Sequence, residues 1–261
     1  NPEPFDACLS PVTMYSDGFE NGVPDWTVSN SNPPTPYDWV LRAGLPWGMS
    51  GSGWFIADPN IGDCQTDGEA AVHSLTSPIL FVWDEAQEFF LSFTHLVATE
   101  AAYDGGNVKI SVNEGPFELI PPEAFRYNAY NAAIPVNSTN PLSGEPAFTG
   151  RGAVWGTSFI ELSGLANGGD LIQFRFDFGK DACDGHDGWY LSDIAMFYCV
   201  PVGDGDFDQD NKVTLADVAY FQRCMRTPVR DGGPCAPGDL DRNGFVDFFD
   251  FAPLVELLDD P

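Results

Sequence analysis

The stretch LIQFRFDF, residues 171–178, decides how most of this chain folds. Ile172, Phe174, Phe176 and Phe178 fall on one side of an extended backbone, and Gln173, Arg175 and Asp177 on the other. A repeat of two is the pattern of a strand with one face in a core. Segments of similar character recur around it: WVLRAG (39–44), GWFIAD (53–58), FFLSFTHLV (89–97), NVKISVNEG (107–115), SFIELSG (158–164) and WYLSDIAMFYC (189–199). Clusters of Gly, Pro, Asn and Asp separate them, as turns do between strands. About ten such segments with no helix between them predict a mainly β fold, an antiparallel sandwich or jelly roll, over residues 1–200.

Composition narrows the partners. The chain has 261 residues, 43% of them hydrophobic and 14% aromatic, enough for a substantial core. Its 39 acidic residues against 11 Lys and Arg give a formal charge of −28. Such a surface repels phosphate backbones and anionic lipid, so nucleic acid is a poor partner and a divalent cation a good one. No apolar run reaches the roughly 20 residues of a membrane helix, which argues against membrane insertion. The opening NPEPFDACLS and an even count of six cysteines set the expectation of a secreted or cell-surface protein. The grouping of the cysteines favours the pairs Cys8–Cys199, Cys64–Cys183 and Cys224–Cys235.

Beyond CVPVGDG (199–205) the period changes. LADVAYFQRCMR (215–226) sets Leu215, Val218, Phe221, Cys224 and Met225 at helical spacing. FFDFAPLVELL (248–258) does likewise with Phe248, Phe251, Leu254, Val255 and Leu258, with Pro253 in the first turn. A second, small helical domain is therefore expected over residues 203–261.

Each helical segment follows an acidic turn. In DFDQDNKVTLAD (206–217), Asp206, Asp208 and Asp210 stand at positions 1, 3 and 5 of a twelve-residue calcium loop. Lys212 offers its carbonyl at position 7, and Thr214 and Asp217 take positions 9 and 12. Asn211 occupies position 6, a bend with positive φ that Asn tolerates well. A second copy, DLDRNGFVDFFD (239–250), begins 33 residues later (239 against 206). Here Asp239, Asp241 and Asn243 take 1, 3 and 5, Gly244 takes 6, Phe245 takes 7, and Asp247 and Asp250 take 9 and 12. Val213 and Val246 both stand at position 8, where paired loops commonly share a β bridge. Two acidic turns in one register predict two Ca²⁺ ions.

Two loop–helix halves without entering helices, with Asp at position 12, resemble a dockerin module of the EF-hand type. The resemblance covers about residues 203–259. It implies a small α-helical fold that needs two calcium ions and docks onto a partner protein, a cohesin in the family. At loop positions 10 and 11, where cohesin-binding members carry small polar residues, this chain has Leu215 and Ala216, then Phe248 and Phe249. Either FFDF (248–251) packs inward against the neighbouring sandwich, or these residues form an apolar docking surface for another chain, with Leu215, Ala216, Phe248 and Phe249 as its candidates.

The larger part resembles MAM-like and related jelly-roll domains of secreted proteins. The motifs are DGFENGVPDWTV (17–28), GSGWFIAD (51–58), LTSPIL (75–80), YDGGNVKISVNEG (103–115) and DGWYLSDIAMFYC (187–199). Such domains bind partners and are not themselves catalysts. The residues point the same way, since His73, His95 and His186 lack a Ser or Cys nucleophile context and no paired-acid motif marks a glycosidase. No catalytic residue is assigned. One or more further cations in the sandwich are expected at Asp17, Glu20, Asp58 and Asp193, or at Glu100 and Asp104 with Asp184 or Asp187. Trp47, Trp54 and Trp155 are packing residues or sugar platforms. Asn137, in NST, is a glycosylation acceptor in a surface loop.

Two functions remain. The first is a calcium-binding, non-enzymatic structural or adhesive protein that assembles with other subunits, including copies of itself, at a cell surface. The alternative is a carbohydrate-binding accessory subunit, docked through cohesin to a polysaccharide-degrading complex.

Overall fold

A computed structural model describes residues 11–20, 22, 25–32, 37–59, 70–84, 86, 88–181, 183–199, 205–208, 212–229, 233–241 and 243–258. The chain divides into two compact units, 13–84 with 88–197, and 1–12 with 85–87 and 198–261.

The larger unit is a sandwich. Its early strands are β1 (Pro11–Asp17), β2 (Thr27–Asn30), β3 (Val40–Ala43), β4 (Ser52–Ala57) and β5 (Ala71–Thr76). Next come β6 (Leu80–Phe81), β7 (Phe89–Ala98), β8 (Gly105–Val112), β9 (Glu118–Leu119) and β10 (Phe125–Tyr127). The last are β11 (Ala132–Ala133), β12 (Pro146–Thr149), β13 (Arg151–Glu161), β14 (Leu171–Lys180) and β15 (Gly188–Cys199). One sheet runs β10-β13-β7-β15-β4-β3, with β1 also on β15. The other runs β11-β12-β8-β14-β5-β2, with β6 on β14 and β9 on β8. Sequential strands such as β7 and β8, or β14 and β15, lie in opposite sheets, so the chain crosses the core repeatedly. The result is the antiparallel sandwich that the alternating segments predict.

β14 sits in the middle of its sheet, paired antiparallel with β8 and with β5. Ile172, Phe174, Phe176 and Phe178 are all buried, as the alternation requires. The opposite face is not simply solvated. Asp177 is buried, and it accepts from Arg175 Nε at 2.8 Å and from Ser74 Oγ at 2.6 Å. Lys109 Nζ lies 3.3 Å from the same carboxylate.

Trp189 of β15 fills the space between the sheets. Its indole meets Trp39, Phe148 and Phe176 at centroid distances of 5.5, 6.1 and 6.1 Å. Opposite it stands Gly106 of β8. A Cβ on Gly106 would lie 2.2 Å from Trp189 Cζ3 and 2.6 Å from the Asp177 carbonyl. Glycine at 106 is thus a packing requirement rather than a turn signal.

The pairing of β1 with β15 makes the first and last strands of the sandwich neighbours. Cys8 and Cys64 lie outside the described residues. Cys183 is disulfide-bonded.

The smaller unit holds α1 (Leu215–Cys224), α2 (Phe251–Glu256) and a short ribbon of β16 (Thr227–Pro228) and β17 (Phe245–Val246). Val213, Phe221, Cys224, Val229, Ala236, Val246 and Leu254 form its core. Cys224 and Cys235 are joined, as their spacing suggests. The helical stripe is narrower than expected, because Leu215 is 78% exposed and Met225 is also at the surface. The expected β bridge between position-8 valines is replaced. Val246 pairs with Thr227, while Val213 is buried in the core without joining that ribbon. The chain doubles back after α1 and brings Thr227 to the second loop.

Replacing Gly106 by Ala should destabilise the sandwich by about 1–3 kcal/mol through overpacking against Trp189. A lower urea midpoint at an unchanged m-value would show it; an unchanged midpoint would contradict the packing account.

Candidate functional site

Both acidic turns of the smaller unit are closed by their twelfth residue. Asp217 Oδ1 accepts from the Phe207 and Asp208 amides at 2.8 and 3.4 Å, and Oδ2 from the Thr214 amide at 2.9 Å. Asp250 repeats the scheme: Oδ1 accepts from Leu240 and Asp241 at 2.7 and 2.8 Å, and Oδ2 from Asp247 at 2.8 Å. Thr214 and Asp247 also cap the following helical turns, accepting from the Ala216 and Phe249 amides. Positions 9 and 12 therefore form a capping box in each half. One pair of residues both starts the helix and folds the loop.

Acids converge in each turn. Carboxylate oxygens of Asp206, Asp208 and Asp217 lie within 4.8 Å of one another, and so do those of Asp239, Asp241 and Asp250. In the second loop Asn243 donates to Asp241 and Asp247, at 3.1 and 3.2 Å, and Gly244 makes the bend with φ 84°. Phe245 follows in β17, and Lys212 lies just ahead of α1. Asp210 and Asn211 lie outside the described residues. The two closing carboxylates differ electrostatically. Burial opposes ionisation of Asp217, but amide hydrogen bonds outweigh it and lower its pKa. For Asp250, burial and the nearby charge of Asp241 raise it.

The apolar residues beside the loops face outward. Leu215, Phe248 and Phe249 are 78%, 76% and 72% exposed, and Ala216 is exposed too.

The sandwich rearranges the expected acids. Asp17 accepts from Trp26 Nε1 at 3.0 Å and from the Phe19 amide at 2.8 Å. Glu20 holds the Ser52 amide at 2.6 Å, and Asp193 is exposed with φ 45°. Asp58 does not join them. It is buried beside Asp104 instead, accepting from the Glu100 and His186 amides at 3.2 and 3.1 Å. Glu100 and Asp104 come together with Asp181, a residue the sequence reading passed over, within 4.8 Å. Asp184 is an exposed charge near Glu100, and Asp187 turns toward a different cavity, with Trp47 and Arg151.

Asp58 and Asp104 are hydrogen-bonded to each other and both buried. Burial, then the charge of Asp58, pushes Asp104 up to about 9. Burial likewise raises Asp58 and Glu100. One proton shared by the pair satisfies it at neutral pH.

The histidines are structural in their contacts. His95 is fully enclosed, and burial lowers its pKa to about 3. Its Nδ1 accepts from Trp189 Nε1 at 3.2 Å, so the proton sits on Nε2, 3.0 Å from Ser158 Oγ. His73 Nδ1 meets Asp38 at 2.7 Å. Trp54 is core; Trp155 is half-buried and donates to the Pro46 carbonyl at 2.9 Å; Trp47 is exposed. Asn137 is exposed in a turn.

No family model matches the chain, and no curated protein sequence does either. Among solved structures, the bacteriophage CBA120 tailspike protein 4 enzymatically active domain is similar, at 12% identity and TM-score 0.41. The match covers 74% of this chain, which spans only 22% of that one. TmCBM61, solved with beta-1,4-galactotriose, is 14% identical, with a TM-score of 0.41 and coverage of 69% and 94%. A cleaved adhesin domain of Lys-gingipain from Porphyromonas gingivalis is 16% identical, with a TM-score of 0.39 and coverage of 71% and 98%. These likenesses are too distant to carry a function, and the reading rests on the residues.

The raised Asp104 makes stability depend on pH. The unfolded chain gives up this proton near 3.8, whereas the folded form keeps it to about 9. Stability from this group is therefore full below 3.8 and drains away as pH rises to about 9. In calcium-free buffer the unfolding free energy from urea titration should fall between those limits, this group contributing no more than about 1.4 kcal/mol per pH unit. Asp104→Asn should flatten the curve. Calcium added to the unaltered protein would flatten it too if a cation displaces the proton.

Proposed function

We propose that this chain is a secreted, non-catalytic binding protein whose smaller unit takes up two Ca²⁺ ions and docks onto another protein. The observation that carries the reading is the duplicated loop. In both halves three aspartates converge, and the last holds the loop amides in the same way. The donors are hard oxygens, which suit Ca²⁺ rather than a softer metal. Asp206, Asp208, Asp210, Lys212, Thr214 and Asp217 would supply one site, and Asp239, Asp241, Asn243, Phe245, Asp247 and Asp250 the other. Each ion would offset repulsion among the carboxylates and so add its binding energy to folding. The unit's small core makes that contribution large in proportion.

Docking falls to Leu215, Ala216, Phe248 and Phe249. Large apolar side chains left in water beside a metal-fixed helix start are what a partner would cover. They are unlike the small polar residues of cohesin-binding dockerins, so the partner is another subunit, a copy of this chain being the simplest. The sandwich would then be the part displayed by the assembly.

Calcium titration of the full chain should give two sites with dissociation constants tighter than about 1 mM. Asp206→Ala and Asp239→Ala should each make residues 203–259 sensitive to protease while the sandwich stays folded. Calcium at a hundredfold excess over its dissociation constant should stabilise the smaller unit by about 2.7 kcal/mol. Resistance of 203–259 to protease in chelator would count against the calcium reading. Light scattering in millimolar calcium checks the assembly: Phe248→Ser with Phe249→Ser should dissociate it and leave calcium uptake intact. A monomer at all concentrations would reject self-association.

A further inference from the structure

We propose that the sandwich binds a neutral polysaccharide chain in the cavity between Trp47 and Arg151. This inference is separate from the docking of the smaller unit and does not depend on calcium there. The cavity, of about 280 Å³, is lined by Trp47, Ala98, Arg151, His186 and Asp187. All five belong to the larger unit.

Trp47 lies in the turn between β3 and β4. The Met49 amide donates to the Pro46 carbonyl, and the two central residues, Trp47 and Gly48, have φ 50° and 83°. Positive φ at both centres is the pattern of a type I′ turn, whose first centre favours Asn, Asp or Gly. A bulky aromatic there is disfavoured, and such outliers gather at functional sites. The surroundings hold the turn firmly. Leu45 and Met49, on either side, pack with Phe55, Leu96 and Tyr190, and Trp155 Nε1 donates to the Pro46 carbonyl at 2.9 Å. Trp47 nonetheless stays 52% exposed. The fold thus spends conformational strain on an indole that it does not bury.

The facing groups are polar and fixed. Arg151 donates through Nε and Nη2 to His186 Nε2, at 2.9 and 2.6 Å. The ring proton is therefore on Nδ1, and three of the five guanidinium N–H groups lie outside the pair. The 185–187 segment is pinned from beneath. Asp58 Oδ2 accepts from the His186 amide, and the Asp58 amide donates to the Asp187 carbonyl at 3.3 Å. A Cβ on Gly185 would come within 2.4 Å of the Asp58 carbonyl, so this loop lies directly on the segment that follows β4.

Charge selects the ligand class. Asp187 beside Arg151 in a chain of −28 opposes an anion. Arg151 opposes a cation that would otherwise sit on the indole face. A neutral ring with hydroxyls uses all three: its apolar face on Trp47, its acceptors toward Arg151, its donors toward Asp187. The volume falls just under the roughly 300–1,000 Å³ of sites for drug-sized ligands, so it suits one ring. Arg151 also lines the neighbouring groove, of about 500 Å³, where Ala101, Ala132, Gly150 and Gly152 leave room for the chain to continue.

The test is calorimetric titration of the full chain with neutral oligosaccharides: gluco-, manno-, xylo- and galacto-oligomers of two to six units, with heparin as the anionic control. At least one neutral series should bind saturably and more tightly with length. Trp47→Ala should weaken it about tenfold or more, with Trp47→Phe between the two, and Asp187→Asn should weaken it similarly. Trp47→Gly should lose binding yet melt no lower than the parent protein, because it relieves the turn. A loss of stability in that variant would make Trp47 a packing residue and overturn the proposal. So would binding that Trp47→Ala leaves unchanged, preference for heparin, or no saturable binding by any neutral series up to about 10 mM.

Discussion

Trp189 has no solvent contact. Its indole N–H donates to His95 Nδ1, which sends the imidazole proton to the Nε2 side, toward Ser158 on β13. Three neighbouring strands, β13, β7 and β15, are thus joined through side chains as well as backbone. On its other side the ring demands glycine at the start of β8. A charged imidazole cannot accept from Trp189, so burial and this bond both require a neutral ring. The sheets pack around a tryptophan whose polar edge is satisfied inside the core, which lets the largest side chain occupy the centre without a buried orphan.

Much of this was legible in the sequence. The alternation of 171–178 reports burial directly, because period two on a strand separates core from the other face. The convergence of acids in the two turns was equally legible, since these residues are close in sequence and the second copy repeats the spacing. Pairing over long distances was not. Asp58 and Asp104 are 46 positions apart (104 against 58), and only the crossing of the chain between sheets brings them together. The Val213–Val246 bridge failed for a related reason: the connector after α1 supplies a nearer partner, Thr227. Trp47, Trp54 and Trp155 are the same residue type in similar local surroundings, and only tertiary packing tells which one faces solvent. A signal was present in Trp47-Gly48, where a turn dipeptide carries the wrong first residue.

So acidic a chain must dispose of its carboxylates, and it does so in three ways. Asp177 is paired with Arg175 and Lys109, both drawn from a small stock of cations. Asp58 and Asp104 hold a proton between them. Asp217 and Asp250 are buried under backbone amides, which cost no positive side chain. Amides are the resource such a chain has in excess. They carry the burden at the two loops and beneath His186, the places where the structure has most to do.

The separate closure of the two loops bears on how the smaller unit would respond to calcium. In paired loops joined by a common β bridge, an ion entering one pulls directly on the other. Here Val246 pairs with the connector, Val213 and Val246 meet in one apolar core, and each loop is drawn shut by its own aspartate. Under the calcium reading, any coupling between the two ions would pass through this shared core rather than through a ribbon common to both loops. Side-chain packing would then set how steeply assembly follows calcium.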